Sequence, residues 1–197
     1  MPRSKKYNEE EVLEKATQVF WRQGFEATTM QVLEKEMGIN KFSIYASFGS
    51  KTELLSACLA NYKKRLNKLL ATIVEGGNNI TAIKEYFYHF IAFSKENELG
   101  KGCFITNTAN EFSGNPPKNI QNQLENYTND VRNAFKKALI SQKYGSDEEI
   151  DELADFLLIS MFGFSTATKI FSESQLHLYI ENLFNTINKD NTVNEIK

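Results

Sequence analysis

Histidine and cysteine, the side chains that most often carry nucleophilic or metal chemistry, are scarce in this chain, with two of each in 197 residues. His89 and His177 stand beside no carboxylate or cysteine at a spacing that makes a general base or a metal-ligand set, and no glycine-rich phosphate loop occurs. The chain concentrates instead a group of polar side chains around one phenylalanine: Thr29, Lys41, Phe42, Ser43, Tyr45 and Lys51. Ammonium groups, hydroxyls and the free amides of a helix start suit phosphate oxygens and base edges, and an outward phenylalanine packs on a thymine methyl or on sugar. This is the chemistry of reading duplex DNA. It needs no catalytic residue, cofactor or metal.

Three short elements must hold these groups. Thr28, with Gln31 three residues later, predicts a capping box that opens a helix near Thr29; Gly38 ends that helix in the left-handed conformation. Asn40 then caps a second short helix from Lys41 to about Ser47, which turns Ile44 and Phe48 inward and leaves Lys41, Phe42, Ser43, Tyr45 and Ala46 outside. Ser50 and Glu53 form another capping box, with Lys51 in the first turn of a long helix. Two readings stand for Tyr45, base contact or packing between helices, and Lys51 is either a phosphate ligand or a solvated lysine.

The segments Gly24-Phe25, Thr29, Gly38-Ile39, Tyr45, Phe48 and Lys51-Thr52-Glu53-Leu54-Leu55 resemble the helix-turn-helix of TetR-family transcriptional regulators. The chain departs from that family's pattern in having Glu36 and Phe42 where many members carry small residues. The resemblance implies an all-α fold of about nine helices, with a three-helix DNA-binding domain over residues 1–50, a helical ligand-binding and dimerisation domain over 51–190 and a polar tail over 191–197. It also implies that the last two long helices pair with those of a second copy.

Helical periodicity through the rest of the chain fits that plan. Helices are expected over about 8–23, 51–75, 80–95, 103–112, 117–143, 147–167 and 175–188. Those near 80–95 and 147–167 are apolar on most sides, so neighbours must surround them, and dimerisation is the natural outlet for the apolar surface at the C-terminal end. Net charge is only −2, yet Arg3, Lys5, Lys6, Arg22, Lys41 and Lys51 cluster on the expected contact side, and local field outweighs total charge. A DNA-packaging protein would carry more positive charge and no large aromatic body, and an enzyme would need groups the chain lacks. The N-terminus has no apolar run and no window is long enough to span a bilayer, so the expected compartment is the cytoplasm and no membrane is involved.

A regulator needs an input. Phe87, Phe90, Cys103, Phe104, Asn107, Tyr127 and Phe162 are the candidate lining of a pocket for a small apolar or aromatic inducer, with ordinary core as the competing reading for each. Binding there would lower DNA affinity by changing the spacing of two heads on a near-palindromic operator, which is repression relieved by ligand; activation is the other possibility. The stretch from Lys101 to Glu111 further resembles a Gly-Cys segment of a TetR subgroup, some of whose members use the cysteine to sense electrophiles or oxidants. Cys103 opens a short helix, and Lys169 is a candidate to approach it; a buried, inert thiol is the competing reading. Cys58 reads as core.

Overall fold

The computed structural model describes residues 7–95, 102–112 and 114–194. Among them lie α1 (Glu9–Gln23), α2 (Met30–Met37), α3 (Lys41–Phe48), α4 (Lys51–Glu75), α5 (Ile80–Lys95), α6 (Phe104–Glu111), α7 (Lys118–Ser141), α8 (Asp147–Ala167) and α9 (Glu173–Asn194), and no strand. The all-α expectation of about nine helices is met. Arg3, Lys5, Lys6 and Lys101 fall outside the described residues.

The chain packs as two units. One unit holds the residues up to Arg65 together with Phe104–Asn126; the other holds Leu66–Cys103 and the chain from Tyr127 onward. The first unit therefore contains α6 and the start of α7 as well as the head. Its core is built on α1, whose Val12, Ala16, Val19 and Phe20 are buried at helical spacing, with Leu33 of α2, Ile44 of α3 and Leu55 and Leu59 of α4. Trp21 meets Tyr62 edge-on at 5.1 Å between centroids, and Tyr62 meets Phe104 of α6 at 5.6 Å.

In the second unit α5 is the centre, burying Ile80, Ile83, Tyr86, Phe87, Phe90 and Ile91 against α8 and α9. Phe87 touches four rings: Tyr86, Phe135, Phe164 and Phe184, at 5.4–6.3 Å. Around this apolar centre the helix surfaces are tied by ions. Lys84 and the Tyr88 hydroxyl both reach Glu181, while Lys95 reaches Glu173. Arg132 bridges Asp151 and Asp155, and Lys136 also meets Asp151 at 2.7 Å. At the acidic start of α8, Glu149 closes a capping box with Ser146, and Asp151 serves an inter-helix ion network. Hydrogen bonds from Lys136 and Arg132 hold the Asp151 carboxyl below its ordinary range. Helix α9 also runs to Asn194, past the expected end at Asn188.

Because Phe87 fills the middle of this ring cluster, Phe87→Ala leaves a cavity that four rigid neighbours cannot close. Urea denaturation should show a loss of about 3–5 kcal/mol; a loss below ~1 kcal/mol would mean that Phe87 borders open space and is not core.

Candidate nucleic-acid interface

The candidate interface starts from how two eight-residue helices are fixed. Thr29, not Thr28, is the N-cap of α2: its hydroxyl accepts from the Val32 amide, whereas Thr28 is buried and donates its hydroxyl to the Gly24 carbonyl. The sequence places two threonines side by side, and the spacing to Gln31 points to the buried one. Gly38 ends α2 with φ +71, the left-handed conformation glycine adopts without strain. Asn40 caps α3 as expected, accepting from the Ser43 amide at 2.9 Å, and the Glu34 carboxylate of α2 accepts from the Lys41 amide. Both ends of the turn are thereby tied to side chains on either side of it.

With α3 so fixed, Ile44 is buried and the opposite side projects outward. Phe42 is 86% exposed, the most open large apolar side chain among the described residues, and Lys41 and Tyr45 are also exposed. The Lys41 ammonium lies 5.7 Å from the Tyr45 ring centroid. Ser43 is half-buried, and its carbonyl accepts weakly from the Tyr7 hydroxyl, which sits 2.6 Å from the Ser47 hydroxyl. Tyr7 was not singled out from sequence, since its partners lie 36 and 40 residues away. Ser50 and Glu53 close the expected capping box at the start of α4. Lys51, next in sequence, places its ammonium 4.3 Å from the centre of the Phe25 ring. Thr29, Lys41, Phe42, Ser43, Tyr45 and Lys51 therefore all belong to the first unit, at the starts or along the outer side of α2, α3 and α4.

The residues expected to line a ligand pocket are distributed over both units. Phe104 and Asn107 belong to the first; Phe87, Phe90, Cys103, Tyr127 and Phe162 belong to the second. Phe87, Phe90, Cys103, Phe104 and Tyr127 are all buried. A recess of about 410 Å³ lies elsewhere in the second unit, lined by Gly163, Phe164, Ala167, Phe171, Gln175, Leu176 and Tyr179. Periodicity did not reveal it, because it is formed by the spacing of α8 from α9 and not by a motif.

Both cysteines are buried free thiols. Burial pushes the Cys58 thiol up to about 12, against the lowering effect of a hydrogen bond from Thr17, so it stays protonated as a small apolar group. Cys103 stands immediately before α6, only 1% exposed. A Cβ on neighbouring Gly102 would come within 3.0 Å of the Lys169 stem and 2.8 Å of the Ser165 carbonyl.

Comparison with known proteins covers both ends of the chain. Residues 12–58 match the model of bacterial regulatory proteins of the tetR family, and residues 80–181 match the tetracyclin repressor-like C-terminal domain. Among known sequences, the chain is similar to the uncharacterised HTH-type transcriptional regulator YezE of Bacillus subtilis, 27% identical with 86% of this chain and 90% of that protein covered. It is also similar to IcaR of Staphylococcus aureus, the negative regulator of a biofilm operon, at 24% over 66% of this chain and 71% of IcaR. Among solved structures it shares the fold of a cysteine mutant of the TetR-family regulator CifR complexed with 26 bp of operator DNA, at TM-score 0.80 and 24% identity over 91% and 97% of the two chains. It shares it also with the reduced form of E. coli NemR, at TM-score 0.75 and 19% identity over 91% and 94%. No described helix is long and apolar enough to cross a membrane. A helix-turn-helix head built on capped α2 and α3, joined in sequence to a matching C-terminal domain, makes this chain a member of the TetR family of DNA-binding transcriptional regulators, and not an enzyme.

Proposed function

We propose that the protein is a repressor that binds a near-palindromic operator as a homodimer and leaves it when a small apolar or aromatic ligand binds. The observation that carries this reading is the outer side of α3, where Lys41, Phe42 and Tyr45 project from a helix anchored through buried Ile44. Lysines 41 and 51, the hydroxyls of Thr29, Ser43 and Tyr45, and the amides at the start of α4 supply phosphate and base contacts; Phe42 supplies an apolar one. Dimerisation is supported by the exposed apolar residues on and between the last two helices, among them Phe156, Ile159, Phe171, Leu178 and Tyr179, a concentration that water disfavours. The likeness to IcaR, a negative regulator by name, favours repression over activation. Phe87, Phe90, Cys103, Tyr127 and Phe162, all in the second unit, are mostly apolar, the usual make-up of a small-molecule site. Since most are packed, a ligand reaching them displaces core side chains, and that displacement is the signal.

A second reading of the input rests on Cys103. Its place before α6, with the Lys169 stem against Gly102, suits a thiol whose modification changes the protein's affinity for DNA. The solved likenesses to CifR cysteine mutants and to reduced NemR point the same way.

Duplexes selected by the full-length protein from a random pool should carry an inverted repeat, and the logarithm of affinity should fall linearly with the logarithm of salt concentration. Lys41→Ala should lower the slope by about 0.9 for each phosphate that Lys41 neutralises. Recovery of no preferred sequence would end the operator reading. On the selected duplex, replacing thymines one at a time by deoxyuridine removes single methyl groups. One symmetry-related position should weaken wild-type binding about fourfold, the transfer value of one methyl of ~0.8 kcal/mol, and should leave Phe42→Ala unaffected; equal profiles for both proteins would remove Phe42 from base reading. For the thiol, an electrophile such as N-ethylmaleimide should release DNA from wild type and not from Cys103→Ser, and equal release from both excludes Cys103 as the sensor.

A further inference from the structure

The Glu111 carboxylate, the last residue of α6, is held by two backbone amides 85 and 86 residues earlier in the chain. Its Oε2 accepts from the Phe25 amide and its Oε1 from the Glu26 amide, both at 2.8 Å. The turn between α1 and α2 is shaped around it: Gly24 has φ +81, and a Cβ there would lie 2.8 Å from Oε1. Phe25 is the next link. Its ring rests 5.3 Å from that of Phe112, which follows Glu111, and carries the Lys51 ammonium at 4.3 Å on its face. Thr28 completes the turn by donating its hydroxyl to the Gly24 carbonyl, directly before the Thr29 cap of α2. One carboxylate on α6 thus fixes the turn that supports both the start of α2 and the ammonium at the start of α4, all within the first unit. Hydrogen bonds to an ionised acceptor are stronger than neutral ones, and the pair restricts the turn to one orientation.

We propose that Glu111 is a positioning residue for DNA binding: its carboxylate clamps the Gly24–Glu26 turn and, through the Phe25 ring, holds the Lys51 ammonium where it meets a phosphate. The proposal rests on the reading above that Lys51 is a phosphate ligand. The backbone enters α6 directly from Cys103, so the clamp ends a helix whose first residue follows the candidate sensing thiol. Position of α6 is thereby converted into geometry of the head without Glu111 touching DNA.

The test uses full-length protein, a duplex selected by the wild type, and affinity measured across a range of salt. Glu111→Gln keeps the size but offers one acceptor and an amide that faces a backbone N–H; it should weaken binding about tenfold and lower the salt slope by about 1.8, the share of one phosphate in each half of the dimer. Lys51→Ala should lower the slope by the same amount, and adding Glu111→Gln to it should change the slope no further. Phe25→Leu cuts the link while leaving Glu111 and both amides in place, so it should also reduce the slope, and it serves if Glu111→Gln does not fold. The proposal is overturned by a wild-type slope in folded Glu111→Gln or in Phe25→Leu, or by Glu111→Gln lowering the slope again in the Lys51→Ala background. Failure of the wild type itself to select any duplex is a different result and strikes the DNA-contact reading.

Discussion

An eight-residue helix does not hold itself together in water, because nucleation fixes several residues before hydrogen bonds repay it. The helices α2, α3 and α6 are all of that length, and the first unit holds all three. Everything functional in the first unit therefore depends on what satisfies their ends and on a few buried side chains. Thr29 and Asn40 cap the starts, the Glu34 carboxylate ties α3 back to α2, and Ile44 and Leu33 supply the burial. Each cap is worth about 1 kcal/mol, so none is decisive alone, but together they fix the direction in which α3 presents Phe42.

Much of this was legible in the sequence because caps are local. Asn40 to Ser43, Ser50 to Glu53 and Ser146 to Glu149 are each separated by three residues, and the pairing rule is written in the spacing. The rule fails where two candidates adjoin: Thr28 has Gln31 at the capping-box spacing and Thr29 has only Val32, yet Thr28 is buried and turns back to Gly24, which leaves the cap to Thr29. Nothing local could announce the clamp by Glu111 or the Tyr7 contact with Ser47, since their partners are brought near by tertiary packing alone. The same applies to Asp151, which reads as a solvated acid at a helix start until α7 brings Arg132 and Lys136 to it. The aromatic body posed a different difficulty. A stripe such as Phe87 and Phe90 has the same spacing whether it lines a cavity or fills one, and here the rings fill the space around Phe164.

The division into two packed units also explains why the head cannot be treated as a detachable module. A sequence model of the DNA-binding segment ends at residue 58, yet the packed unit continues to Arg65 and takes in Phe104–Asn126. Trp21 of α1 and Tyr62 of α4 close against Phe104, so α6 is part of the floor on which the helix-turn-helix rests. Removing the chain after α4 would take away Phe104 and expose the Trp21 and Tyr62 rings that close against it, an apolar loss of several kcal/mol by area. A head that borrows its floor from a later segment is sensitive to that segment by construction.

That sensitivity matters because the outer side of α3 is not strongly charged. With Lys41 the only cation on that helix, its outer side draws limited electrostatic attraction, and Phe42 adds a contact that salt does not strengthen. On the proposed reading, useful affinity then comes from two heads engaging at once, where the second contact is intramolecular and its strength depends on spacing. A regulator built this way needs no large structural change to switch. A coupling of about 1–3 kcal/mol between input and DNA binding changes occupancy about 5–150-fold, and displacing a packed ring or loosening one clamped turn is of that size. Weak individual contacts and a borrowed floor are thus two parts of one arrangement, in which the head is firm enough to recognise DNA and its geometry is set from outside the recognition helices.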